Sequence, residues 1–180
     1  MAFPTVEGTT ATNGAIASAS AVVNLPIPAL LGETLIVLHR SAVGTATHGY
    51  PAGWTKLFDV NSDASDDRMS CAWRKADGTE GETITITQTN SKFASISYRI
   101  SGATDPTVTP PDFASVATGT SAFLDPSSLS PTGGAKDYLW LWMGGWEGEQ
   151  TSPPAGTPTN YTNAVGANSG TGGAIATNCR

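Results

Sequence analysis

"ETLIVLHRSAVGTATHGYPAGWTKL", Glu33 to Leu57, joins an apolar run with β-branched residues, a Gly- and Thr-rich loop, Pro-Ala-Gly, and an aromatic residue followed by Thr. An apolar run bounded by turn residues predicts a strand over Thr34 to Val43. Pro51 fixes one φ and Gly53 permits another, which turns the chain into a second strand, "WTKLFDV". Alternation there sets Trp54, Lys56 and Phe58 on one face and Thr55, Leu57 and Asp59 on the other. "KDYLWLWMGGWEGEQTSPPAGTPTNYTNA", Lys136 to Ala164, repeats the order with an added spacer before its aromatic-Thr pair. Downstream of the first stretch comes "RMSCAWRKA", and downstream of the second "GGAIATNCR". The threefold match predicts a diverged internal duplication. Trp54 and Tyr161 then open equivalent strands and serve the fold, with their polar edges near the wet rim of the core.

The rest of the chain carries the same strand chemistry. "AIASASAVVNL" (Ala15 to Leu25) alternates small polar and apolar residues, and "PIPALLG" interrupts it. "TITITQT" and "ASISYRIS" alternate strictly and predict a hairpin, with Ile96, Tyr98 and Ile100 inward and Ser97 and Arg99 outward. "FASVATG" and "SAFLD" read as short edge strands, and "DYLWLWMGG" as a strand in the interior of a sheet. Only 13% of the 180 residues are charged, against 20 Gly and 12 Pro, a composition that disfavours helices. The expected fold is all-β: a two-sheet antiparallel β-sandwich, jelly-roll-like, in one domain over residues 1–180. Residues 1–33 form an N-terminal strand or arm and residues 146–173 a long irregular loop. The second half ends at "AIATNCR" with no counterpart of "TITITQT" and "ASISYRIS". The N-terminal strand is expected near that gap, with a partner covering the residual edge.

The net charge is −6, and the nine Lys and Arg residues are scattered. This disfavours nucleic acid and anionic membranes as partners. "MAFPTVEGTT" has neither a basic nor an apolar segment of the secretory kind. Cys71 and Cys179 are too few for a disulfide framework and are expected as buried thiols.

No nucleophile elbow, phosphate loop or zinc spacing is present, and His39 and His48 are the only histidines. No catalytic residue, metal ligand or cofactor is therefore assigned. Asp59-x-Asn61-x-Asp63 has the spacing that opens a calcium loop, but Ala64 and Ser70 stand where Gly and a bidentate Glu belong. A solvated connection is the reading adopted. Trp140 and Trp142 share one strand face, assigned to the core. Trp146 sits in "GGWEGEQ" beside Glu147, Glu149 and Gln150. That group is the candidate contact for a partner protein or a sugar.

The motifs "GETLIVLH", "PAGWTKL", "AWRKADGTEGETITIT", "SYRISGATDP", "KDYLWLW" and "PAGTPTNYT" resemble a small β-sandwich module of tailed-bacteriophage virion proteins. The resemblance spans Gly32 to Tyr161. It implies a non-enzymatic virion role, as a head decoration or cement protein or as a tail or fibre component. The expectation drawn from it is a capsid decoration subunit, assembled in the host cytoplasm and located in the virion. It would bind the major capsid protein or other virion proteins, as a homo-oligomer or lattice-bound. The alternative is a tail or fibre adhesin or a carbohydrate-binding module.

Overall fold

A computed structural model describes residues 3–45, 47–62, 67–116, 127–146, 160–170 and 173–180, with the backbone alone at 178. It contains eight strands: β1 (Thr5–Asn24), β2 (Thr34–Ser41), β3 (Thr55–Asn61), β4 (Arg68–Lys75), β5 (Thr83–Ser101), β6 (Leu141–Trp146), β7 (Thr162–Asn168) and β8 (Ala174–Cys179). No α-helix occurs among the described residues. The strands form two antiparallel sheets, ordered β1-β5-β2-β4-β3 and β6-β8-β7. The chain is thus an all-β sandwich.

The duplication read from the sequence reappears in the pairing. In the first half the third strand of the motif inserts between the other two, giving β2-β4-β3. In the second half the same insertion gives β6-β8-β7. Trp54 and Tyr161 each directly precede the strand that ends the series.

One core lies between the sheets. Ile36 and Leu38 of β2, Cys71 and Trp73 of β4, and Ile96, Tyr98 and Ile100 of β5 meet Ile175 and Ala167, with Leu141, Met143 and Val165 against them. Each fully buried Leu or Ile contributes about 1.5–3 kcal/mol. The Tyr98 and Thr177 hydroxyls bond across this core and tie β5 to β8. Arg40 is 1% exposed and paired with Asp67, whose side chain is nearly as buried.

A second core covers the other face of the large sheet. The predicted hairpin "TITITQT"/"ASISYRIS" does not form. The two segments are one 19-residue strand, β5, paired along its length with the 20-residue β1. The β1–β5 ribbon bends where its register shifts, between Gly14 and Ser20. Bulges increase local bending and twist. The Phe93 ring occupies the space above Gly14, where a Cβ would meet it at 2.1 Å. The bend returns Asn24 to Thr12, whose Oγ1 accepts from Asn24 N–H at 3.0 Å, while Ser97 Oγ donates to Asn24 O at 2.6 Å. Ala21, Val23 and Ile86 consequently bury against Leu35, Val37 and Phe93. Ser97, expected outward, is fully buried for the same reason.

Several other expectations change. A bulge between Lys56 and Phe58 turns both Leu57 and Phe58 toward the inter-sheet core, breaking the alternation read in "WTKLFDV". Strand β7 lies inside the stretch 146–173 that reads as irregular. Residues 113–116 form no strand, and the rest of "FASVATG" and "SAFLD" lies outside the described residues. The N-terminal strand joins the large sheet beside β5, not the gap in the second half.

Candidate functional site

Trp146 is not in a loop but is the last residue of β6. The face it shares with Trp140 and Trp142 is also not the one assigned. Leu141 and Met143 pack into the inter-sheet core, and a Cβ at Gly145 would meet Met69 Sδ at 3.2 Å and Arg40 Cδ at 3.3 Å. The alternate residues Trp140, Trp142 and Trp146 therefore turn away from the large sheet. Trp142 is buried nonetheless, and its ring lies 5.9 Å from that of the half-buried Trp146. Neither indole N–H has an acceptor among the described residues. Glu147, Glu149 and Gln150 lie outside the described residues. The structure therefore supplies only the tryptophan of the candidate contact.

A cavity of about 990 Å³ opens between the sheets. Ile36, Met69, Cys71 and Met143 line it, together with Phe58, Phe113 and Tyr161. The Phe58 and Phe113 rings are 6.1 Å apart, as are those of Tyr138 and Trp140. Tyr161 borders this space, so sequence reasoning placed it at the rim of the core but missed the cavity it faces.

The histidines meet in a polar cluster that no sequence spacing reveals. His39 projects from β2 onto the second face, between Ser95 of β5 and Ser70 of β4 in the register. His48 arrives from the β2–β3 loop, which Gly49 pins to Thr87 by paired backbone bonds of 2.8 and 2.9 Å. The rings meet edge-on, 4.5 Å apart, and both are fully buried. Gln88 Nε2 donates to Ser18 O and Ser91 O, so its Oε1 accepts from His39 Nε2–H at 2.8 Å, and His39 Nδ1 accepts from Ser95 at 2.7 Å. Ser41 donates to Val43 O, so His48 Nε2–H donates to Ser41 Oγ at 2.8 Å. His48 Nδ1 then accepts from Ser70 at 2.7 Å, and Tyr50 O–H donates to Ser70 at 2.9 Å. Both rings are neutral in this scheme. Burial, then the neighbouring His48, pushes His39 down to about 3. Burial pushes His48 down to about 4; Asp59 opposes that, while Arg68 and Lys56 add to it. The Ser70–His48 pair resembles a nucleophile and its base, yet Ser41 rather than a carboxylate stands behind the ring, and the pair is sealed from solvent.

The described part of the acidic run is occupied by cations. Asp59 accepts from Lys56 at 2.8 Å and Arg68 at 2.5 Å, Asn61 Oδ1 accepts from Arg68 at 2.8 Å, and Asp67 pairs with Arg40. Asp63 and Ala64 lie outside the described residues. Both cysteines are free and buried, and burial pushes the Cys71 thiol up to about 12.

At the end of the sheet where β1 leads into β2, Ile27, Leu30 and Leu31 stand 45%, 58% and 78% exposed. Their loop is tethered at both ends. Leu25 N–H donates to Glu82 O, Leu30 N–H to Glu33 Oε2 at 2.7 Å, and Gly32 N–H to Ala76 O. The Glu33 carboxylate is held in turn by Arg99.

No family model, curated protein or solved structure matches the chain.

Proposed function

We propose that the chain is a bacteriophage virion structural protein, a capsid decoration or cement subunit that reinforces the coat lattice through contact area. The observation that carries the reading is the tethered loop bearing Ile27, Leu30 and Leu31. Apolar side chains held in water on a fixed backbone are costly in isolation and favourable once covered. Because the loop is already ordered, docking loses little conformational entropy. The virion assignment itself rests on the resemblance of the six motifs between Gly32 and Tyr161. Leu30→Asp and Leu31→Asp alter exposed side chains and leave both cores intact. The test is co-sedimentation of each variant with purified capsids lacking this protein. Loss of binding with an unchanged melting curve is the expected result, and full binding by both variants contradicts the role given to the loop.

The aromatic lining of the inter-sheet cavity supports a second reading, an adhesin or carbohydrate-binding module. Phe58, Phe113 and Tyr161 offer flat faces on which sugar rings stack, and the cavity is of ligand size. In this reading the sugar contact moves from Trp146 to Tyr161. Glycan-array binding that Tyr161→Ala removes from folded protein would favour it.

A further inference from the structure

The internal repeat points to one sheet edge that has no partner strand among the described residues. Strand β2 has β5 along the edge that β4 does not use. Its counterpart β6 has β8 on one side and, among the described residues, no strand on the other. The backbone pairing tells which groups face that edge. Trp140 and Arg180 exchange two backbone bonds of 3.0 Å each, N–H to O in both directions. Bonded and non-bonded pairs alternate in an antiparallel ladder. Trp140, Trp142, Gly144 and Trp146 therefore turn their N–H and C=O toward β8. Leu141, Met143 and Gly145 turn theirs to the open edge. The strand, "LWMGGW", carries neither charge nor proline, the usual protections of an exposed edge.

We propose that this edge pairs with β6 of a second copy of the chain, antiparallel across a two-fold axis at Met143. Bond parity allows only registers that place Leu141, Met143 and Gly145 opposite one another. Centring on Met143 sets Leu141 opposite Gly145 of the second copy and Trp142 opposite Gly144 of the second copy. Leu141 and Trp142 then each meet a glycine across the ladder, Met143 meets its own copy and Trp146 meets Trp140 of the second copy, and the same holds in reverse, as an isologous contact requires. A shift of two residues one way sets Trp142 against its own copy. The same shift the other way sets Gly144 against its own copy and leaves Met143 as the one large side chain opposite a glycine. The consecutive glycines 144 and 145 thus favour this register, in which they receive Trp142 and Leu141 of the second copy. The dimer joins two three-stranded sheets into one continuous sheet. It stands independently of the virion role.

Sedimentation velocity over a range of concentrations, with residue-resolved amide exchange, tests the proposal on the full chain. The expected result is a dimer in which the amides of Leu141, Met143 and Gly145 exchange slowly and become fast on dilution, while those of Trp142 and Gly144 stay slow throughout. Met143→Pro removes the central outward N–H, and Met143→Ala removes the same side chain but keeps it. The Ala variant should remain dimeric and the Pro variant should be monomeric with a similar melting curve. A monomer at every concentration overturns the proposal. So does a dimer whose three outward amides stay fast, or slow exchange of those amides in dilute monomer, which would mean that the chain covers its own edge. Should Met143→Pro fail to fold, the exchange pattern of the unaltered chain decides.

Discussion

A side chain at Gly173 would stand inside the guanidinium of Arg40: a Cβ built there meets Nη1 at 2.1 Å. The head of the buried Arg40–Asp67 pair is thus seated against the backbone that leads into β8, and the sandwich is closed over a charge. Gly173 also holds φ at 101°, where L side chains are strained. Gly173→Ala should cost about 3 kcal/mol or more, because strain adds to displacement of a buried ion pair. Urea titration measures this. The cost should fall when Arg40→Leu is also present, and a purely additive double variant would separate the glycine from the arginine.

The His39–His48 contact makes stability depend on pH. Both rings bind protons less readily folded than unfolded, since their folded values lie near 3 and 4 against an ordinary 6.5. The unfolded chain therefore takes up more protons once the pH drops below about 6.5, and stability falls. Each ring contributes a loss of about 1.4 kcal/mol per pH unit until its folded value is approached. Denaturation midpoints measured from pH 7 to pH 4 should drop steadily, and His39→Gln should flatten the profile. Asp59, held below the usual carboxylate range by Arg68 and Lys56 despite its burial, acts at lower pH. Its stabilisation is present above about 4 and is lost as the pH falls through its folded value. A flat profile between pH 7 and pH 4 would contradict the neutral, buried pair.

Ile96 and Trp140 should rank in the order of their burial, not their size. Ile96 is fully buried between the sheets, so Ile96→Ala should cost about 2–5 kcal/mol. Trp140 is half-buried on the face turned away from the large sheet. Trp140→Ala should therefore cost less than the 3–5 kcal/mol or so usual for a fully buried Trp. Equal or reversed costs in thermal melts would place the tryptophan face in the main core.

Which features could be read in the sequence follows from which ones are local. Strand β2 is buried on both faces, so its continuous apolar run identified it. The repeat was legible because loop chemistry and strand order recur together. Strand β5 was divided in two because "TQTNSK" has turn-forming residues, while the physical outcome is a bend that β1 follows across the ladder. Strand β6 read as interior because apolar residues fill both its faces. Those faces are half-buried to buried, but among the described residues the strand ends the small sheet. Strand β7 was missed since Asn163 adopts φ 55° beside a register shift, and its sequence is Gly- and Asn-containing. The histidine cluster depends on a loop folding back over a sheet, a long-range event with no spacing signature.

Trp54 serves the second core: it is half-buried against that cluster, its ring 6.2 Å from Tyr50. Trp54→Ala should cost about 2 kcal/mol, and Trp54→Phe less, because most of the apolar contact survives. Neither should abolish capsid binding by protein that remains folded. Melting curves and capsid co-sedimentation on the same samples check both statements. A folded Trp54→Ala that no longer binds would make this residue part of the contact surface.

The virion role is tested most directly by quantitative mass spectrometry of purified particles, coupled to labelling that locates the chain on them. The account predicts that the protein copurifies with heads, in a number comparable with the coat subunits and on the outer surface of the capsid. Absence from purified particles would contradict it, and a few copies confined to the tail would replace decoration with adhesion.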